Sequence, residues 1–175
     1  GSHSGYLQIL GDDFADYLET RPELASLGWL GALARLDWLR QCTILAADAD
    51  ALDAASLHSG LLAAGDDPLL HLLPCVHAIT AAFPVLDLWR YCESPETLAV
   101  DLAGSAQGVL LWRADGQVAM QTCTPATVAL ITALKHGNRV SVAVDAAHAL
   151  DADAPIDALL GPLLTRALIH QVSDH

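Results

Sequence analysis

The sequence predicts an α+β protein: an N-terminal helical portion followed by a mainly antiparallel β-sheet portion with C-terminal helices. Three observations carry that expectation. Apolar stripes of helical period fill the first 65 residues, an Asp-Gly hairpin signal stands at Asp115-Gly116, and Thr124-Pro125 opens a further helix late in the chain. Helices, then strands, then helices is not the alternation of a βαβ protein. The expected organisation is residues 1–3 as an expression-tag remnant, 4–65 as the helical portion and 66–175 as the sheet portion, the last two separate or in one compact domain.

Each element has its own local reason. Asp12-Asp13 ahead of Phe14, Tyr17 and Leu18 starts a short amphipathic helix over 12–20. Pro22 makes Arg21 extended, and Ser26 is placed to cap a helix running to Ala47. Trp29, Leu33 and Leu36 form one stripe on it, and Leu30, Ala34 and Trp38 a second, so this helix is buried on more than one side. Asp53 to Leu62 gives another short helix, closed by Gly65. Leu69 to Val76 reads as a single strand, kinked or at an edge because Pro74 cannot donate to a ladder. Pro84 with Val85, Leu88 and Trp89 is a helical turn with proline at its first position. Val109–Arg113 and Gln117–Gln121 are the arms of the hairpin, with 97–102 as a neighbouring strand. The helix from Thr124-Pro125 carries Val128, Ile131 and Leu134 inward and stops at Gly137. Residues 140–150 are ambiguous, since Val140, Val142 and Val144 alternate like a strand whereas 146–150 favours helix, and 153–169 reads as a final helix entered through Pro155.

Composition excludes several function classes. With 53% apolar or aromatic residues the 175-residue chain is not disordered. No stretch of about 18 residues lacks both charge and turn signals, so no membrane span is expected. Eight Lys plus Arg against 21 Asp plus Glu give a net charge of −13, a field that repels polyphosphate and disfavours nucleic acid as a partner. The first residues lack a secretory pattern, and Cys42, Cys75, Cys92 and Cys123 form no C-x-x-C pair, so reduced thiols in a cytoplasmic protein are expected.

No catalytic motif is present: no H-E-x-x-H, no Walker loop, no G-x-G-x-x-G and no G-x-S-x-G. His71, Cys75 and His77 would share a face on a regular strand and are the best metal candidates, but Pro74 interrupts them and no fourth ligand is evident. The acidic stretch Asp145 to Asp157 lacks the glycine and terminal glutamate of a calcium loop and reads as solvated. No metal site or catalytic residue is therefore assigned. Two surfaces remain. Leu110, Leu111, Trp112 and Arg113 with Val118 and Met120 form either a plain core hairpin or an open edge that accepts an extended peptide, Arg113 meeting an acidic side chain of it. Arg35, Asp37, Trp38 and Arg40 form either a helical ion-pair cluster or a face for docking a partner.

Longer stretches carry a resemblance. Gly11-Asp12-Asp13-Phe14-Ala15-Asp16-Tyr17-Leu18 is similar to a G-x-D-F-x-x-[FY]-L segment. Leu27-Gly28-Trp29-Leu30-Gly31-Ala32-Leu33-Ala34-Arg35-Leu36-Asp37-Trp38 resembles L-P-[YW]-L-x-x-L-A-R-L-[ED]-W. Phe83-Pro84-Val85-Leu86-Asp87-Leu88-Trp89 resembles W-P-V-x-x-[IL]-W, and Leu110-Leu111-Trp112-Arg113 an apolar strand ending in Arg. In this order these segments resemble the HvfC/BufC family, which carries the label of a DNA-binding domain. The methanobactin biosynthesis protein MbnC and the partner protein TglI are related to it by role. Longer members have a helical region before the first segment, which is expected to be missing here, and Leu70-His71-Leu72-Leu73-Pro74 follows the family's L-H-P-S only loosely.

The resemblance implies a partner protein rather than an enzyme. Such proteins accompany multinuclear non-haem iron oxidases, TIM-barrel enzymes that modify ribosomally made peptides. The companion binds the leader of the precursor peptide and docks on the oxidase. The resemblance thus implies no cofactor in this chain and iron in the partner enzyme. The family label implies an alternative, a DNA-binding, transcription-related protein, and a third reading is a small hydrolase or metal enzyme that uses the histidines.

Overall fold

The computed structural model describes residues 13–94 and 106–174. Helix α1 (residues 13–19) starts where the acidic residues precede Phe14. Arg21 is extended ahead of Pro22, and a 3-10 segment, Pro22–Leu27, follows. Helix α2 (Trp29–Leu45) consequently begins at Gly28 without a side-chain cap, because Ser26 is spent in the 3-10 segment. Most of α2 is half-buried around its circumference, as its double apolar stripe requires. Helix α3 (Ala54–Ala64) is capped by Asp53, whose Oδ1 accepts from the Ser56 amide at 2.7 Å, and ends at Gly65 in the left-handed region.

The stretch 69–76, expected as a single strand, is strand only over its first half. Strand β1 (Leu69–Leu72) ends before a turn at Pro74-Cys75, and β2 (His77–Ala81) continues in a different sheet. Proline supplies no N–H to a ladder, so it ends one strand and redirects the chain to the next. Helix α4 (Val85–Glu93) is longer than the expected single turn, and Pro84 is its cap rather than its first residue. Strands β3 (Gln107–Ala114) and β4 (Gln117–Cys123) form the hairpin, with Asp115 and Gly116 both at positive φ as a type I′ turn demands. The expected strand over 97–102 lies outside the described residues; β2 is the described strand beside β3 opposite β4.

Helix α5 (Pro125–Lys135) is capped by the Thr124 hydroxyl on the Thr127 amide at 3.1 Å. The ambiguous 140–150 stretch is helix α6 (Val140–His148), which buries Ala143, Val144 and Ala147 at helical spacing. Helix α7 (Ile156–Thr165) stops short of the expected 169. Ala167 takes positive φ, and Ile169–Ser173 becomes strand β5. That strand exists because β1, about a hundred residues earlier, pairs with it antiparallel from Leu69↔Ser173 to Leu72↔Ile169.

The second sheet is antiparallel in the order β2-β3-β4, with Leu111 opposite His77 on one side and Met120 on the other. Opposed residues share a face. Val109, Leu111, Ile79 and Met120 therefore meet Leu36 of α2 and Val85 and Leu86 of α4 in one core. Leu110, Trp112 and Ala78 meet Leu130, Ile131 and Leu134 of α5 in the other, together with Leu163 of α7 and Leu70 and Leu72 of β1. Strand β3 is covered on both faces, and the helical portion and the sheet share a core through the fully buried Leu36.

Candidate functional site

Strand β4 is the outer strand of its sheet, with β3 as its one partner among the described residues. Its seven residues include no charge and no proline, and they pair in unbroken register from Gly108↔Cys123 to Ala114↔Gln117. Proteins usually blunt such an edge with a charge, a proline or a bulge. Within β4 itself none is used, and among the described residues no strand pairs with its outer side; an edge of this kind can template another extended chain. Val118 and Met120 stand half-buried on the α2 side of this edge, and Ala119 and Gln121 on the α5 side.

The other residues expected at the edge lie elsewhere. Leu110 and Leu111 belong to the central strand, hydrogen-bonded to β2 on one side and β4 on the other, and are fully buried. They are core. Trp112 packs against the α5 core, with the Arg166 guanidinium 5.0 Å from its ring; the same guanidinium donates to Gln121 Oε1. Arg113 is not available to a peptide carboxylate. It donates to the carbonyls of Ile44 and Ala46 at 3.0 Å each and to Asp48, closing the C-terminal end of α2.

Of the proposed docking residues, Arg35 pairs with Asp16 and, at 3.3 Å, with Glu19, clamping α1 onto α2. Arg40 sits 3.9 Å from Asp37 and over the Trp89 ring at 5.2 Å, and Trp38 is half-buried. Of these four, Asp37 lines a groove of about 410 Å³ between α1, α2 and α4, whose apolar lining includes Leu30, Leu33, Trp89 and the half-exposed Phe14. Sequence reasoning missed this groove, since its walls come from three helices and no local pattern announces it.

All eight Lys and Arg side chains have an internal partner. Beyond those named, Arg21 meets Tyr17, Arg90 meets Asp87, Lys135 donates to the Val76 carbonyl, and Arg139 donates to the carbonyls of Asp67 and Asp174. The cations hold the fold together, and the carboxylate excess is left to face solvent.

Among the described histidines the His71 and His170 rings lie 6.1 Å apart, but the set foreseen around Cys75 does not assemble. His71 and His77 lie in different sheets with Cys75 in the turn between, so the shared face expected of them does not form. His71 Nε2 is 2.9 Å from Ser173 Oγ, and His77 Nδ1 is 3.2 Å from Thr43 Oγ1. Burial, reinforced by the Lys135 ammonium, lowers the His77 pKa to about 4. Burial likewise pushes the Cys123 thiol up to about 11, which removes its nucleophilic form at neutral pH. Among the described residues no group of three His, Cys, Asp or Glu is arranged to hold a metal ion, and no helix is long and apolar enough to cross a membrane. No family model, curated protein or solved structure matches the chain.

Proposed function

We propose that the chain is a non-catalytic, cytoplasmic partner subunit. It holds the leader of a ribosomally made precursor peptide as an added strand on β4 and docks on a multinuclear non-haem iron oxidase of TIM-barrel fold. The observation that carries this reading is the undefended β4 edge, seven residues long, flat in register and without charge. Backbone pairing along it supplies affinity, while alternate leader side chains meet Val118 and Met120 on one face and Ala119 and Gln121 on the other. In this reading the iron belongs to the oxidase. The chain's own residues align the peptide and raise its effective concentration at the partner's reactive centre. With Arg113 closing α2, the electrostatic match is to a leader with basic rather than acidic residues, drawn by the net charge of −13.

The DNA-binding alternative gains no support from the cations. Each guanidinium is engaged within the fold, so a phosphate contact would have to displace an internal partner. The test is to mix the protein with the oxidase and short precursor peptide encoded beside its own gene. Co-elution of all three, with amide exchange slowed over Gln117–Cys123, is the expected result. Turnover of peptide by the isolated chain, protection confined to other strands, or tight binding of a duplex oligonucleotide at low salt would overturn it.

A further inference from the structure

Helix α3 sets a physical problem of its own. Its eleven residues include no Asp, Glu, Lys or Arg in a chain of net charge −13, and none of them is buried. A helix this short is marginal in water and ordinarily leans on a covered apolar face. Here Leu57 alone of its leucines packs against the larger core, and the helix is otherwise pinned by its Asp53 cap, by the Leu52 amide on the Ile169 carbonyl at 2.8 Å, and by Gly60 lying against Val172 of β5. Leu57 and Leu61, four residues apart on one face, form a wall of a cleft of about 470 Å³ whose opposite wall is Leu163 and Leu164 of α7. Leu61 and Leu164 are 36% and 46% exposed, so the cleft presents an apolar face to solvent; Leu62, outside it, is 72% exposed.

The charges around this face select its occupant. Asp48, Asp50 and Asp53 precede the helix and Asp66 and Asp67 follow it. Asp48 meets Arg113, whereas Asp50, Asp53 and Asp66 have no Lys or Arg within ion-pair distance among the described residues. An uncharged strip between acidic ends complements an apolar anchor with cations on either side of it. A second copy of the chain would bring the same acidic ends together, and an anionic lipid surface would be repelled. We infer that the α3–α7 cleft is a docking site for a partner protein's amphipathic helix, one that seats an apolar residue between Leu61 and Leu164 and carries Lys or Arg toward both of its ends. This surface is distinct from the β4 edge and stands whether or not a peptide binds there.

The probe is a fluorescein-labelled amphipathic peptide with Leu along one face and Lys at both ends, against a twin with Glu in place of each Lys. Anisotropy with the full chain at low salt is expected to show the Lys peptide binding about tenfold more tightly than its twin. Leu61→Gln and Leu164→Gln, on opposite walls, should each weaken it about tenfold, while Leu62→Gln, on α3 but outside the cleft, leaves it nearly unchanged. Circular dichroism confirms that each variant is folded, and hydrogen exchange should show protection over Ala54–Ala64 and not over Gln117–Cys123. Equal affinity for the twins, no binding of the Lys peptide, or full affinity in both wall variants would overturn the inference. So would a wild-type dimer in sedimentation that Leu61→Gln dissociates, since the occupant would then be a second copy.

Discussion

Acid should weaken this fold as pH falls from 6.5 toward about 4, and His77 is a reason. The ring lies between β2 and α2, beside Thr43, with Cys75 on its own turn and Lys135 of α5 nearby. Burial first, and the Lys135 ammonium second, bring its pKa from 6.5 to about 4 against a weaker upward pull from the Cys75 carbonyl. Because the folded pKa is depressed, the unfolded ring takes up a proton near 6.5 while the folded ring stays neutral. Stability attributable to this residue is therefore complete above 6.5 and is lost as pH falls toward about 4. At about 1.4 kcal/mol per pH unit the interval gives an upper bound of ~3 kcal/mol, which water at a half-buried ring reduces to ~2. Urea unfolding of the wild type and His77→Gln, near pH 7.5 and near pH 4.5, isolates the effect, since the other histidines are common to both. Asp53 and Asp67, both held below the usual 3.8 by hydrogen bonds from residues 56 and 141, titrate beneath this window. The stability difference between the two proteins should shift by about 2 kcal/mol toward the variant on acidification. A difference that stays constant over that range would refute the reasoning.

Arg113→Met should cost about 1.5–3 kcal/mol in urea unfolding, because it uncovers the Ile44 and Ala46 carbonyls. Asp48→Asn should cost less than about 1 kcal/mol, since that carboxylate is fully in solvent. Gly108→Ala should destabilise by about 1–3 kcal/mol in the same assay, as a Cβ there would come within 2.7 Å of the Cys123 carbonyl oxygen and 2.9 Å of Val128. Raising salt should promote self-association, followed by sedimentation velocity, and Ala119→Lys on β4 should suppress it; association that salt leaves unchanged would count against an open β4 edge.

What the sequence made legible was whatever a short window decides. The type I′ hairpin followed from Asp115-Gly116 between alternating arms, α5 from Thr124-Pro125, and the end of α3 from Gly65, each requiring only its neighbours. What it hid depends on residues far away in the chain. The helix expected over 153–169 stops at Thr165, and Ile169–Ser173, which no local pattern singled out, is a strand because β1 pairs with it. Leu110 to Arg113 read as core hairpin or open edge, and the choice fell to β2, a strand hidden behind an apolar run that Pro74 ends. The apolar residues of α3 carry no local sign of how far they are covered. Only the tertiary arrangement leaves every one of them uncovered to some degree.

The charge distribution ties these features together. A fold that spends all eight of its cations on its own carbonyls, carboxylates and rings has no positive group left to interrupt a strand edge or to break up an apolar helix face. Local defence of β4 by an edge lysine is thus replaced by a diffuse one: copies carrying −13 repel one another at a distance beyond the reach of strand pairing. That defence discriminates by sign. Under the readings proposed above, it keeps like chains apart while drawing a basic segment toward the same surface, which would leave β4 and the α3 cleft closed to another copy and open to a cationic partner. An edge guarded by its own lysines would exclude both, which is why the absence of charge from these two elements and the excess of acid around them make physical sense only together.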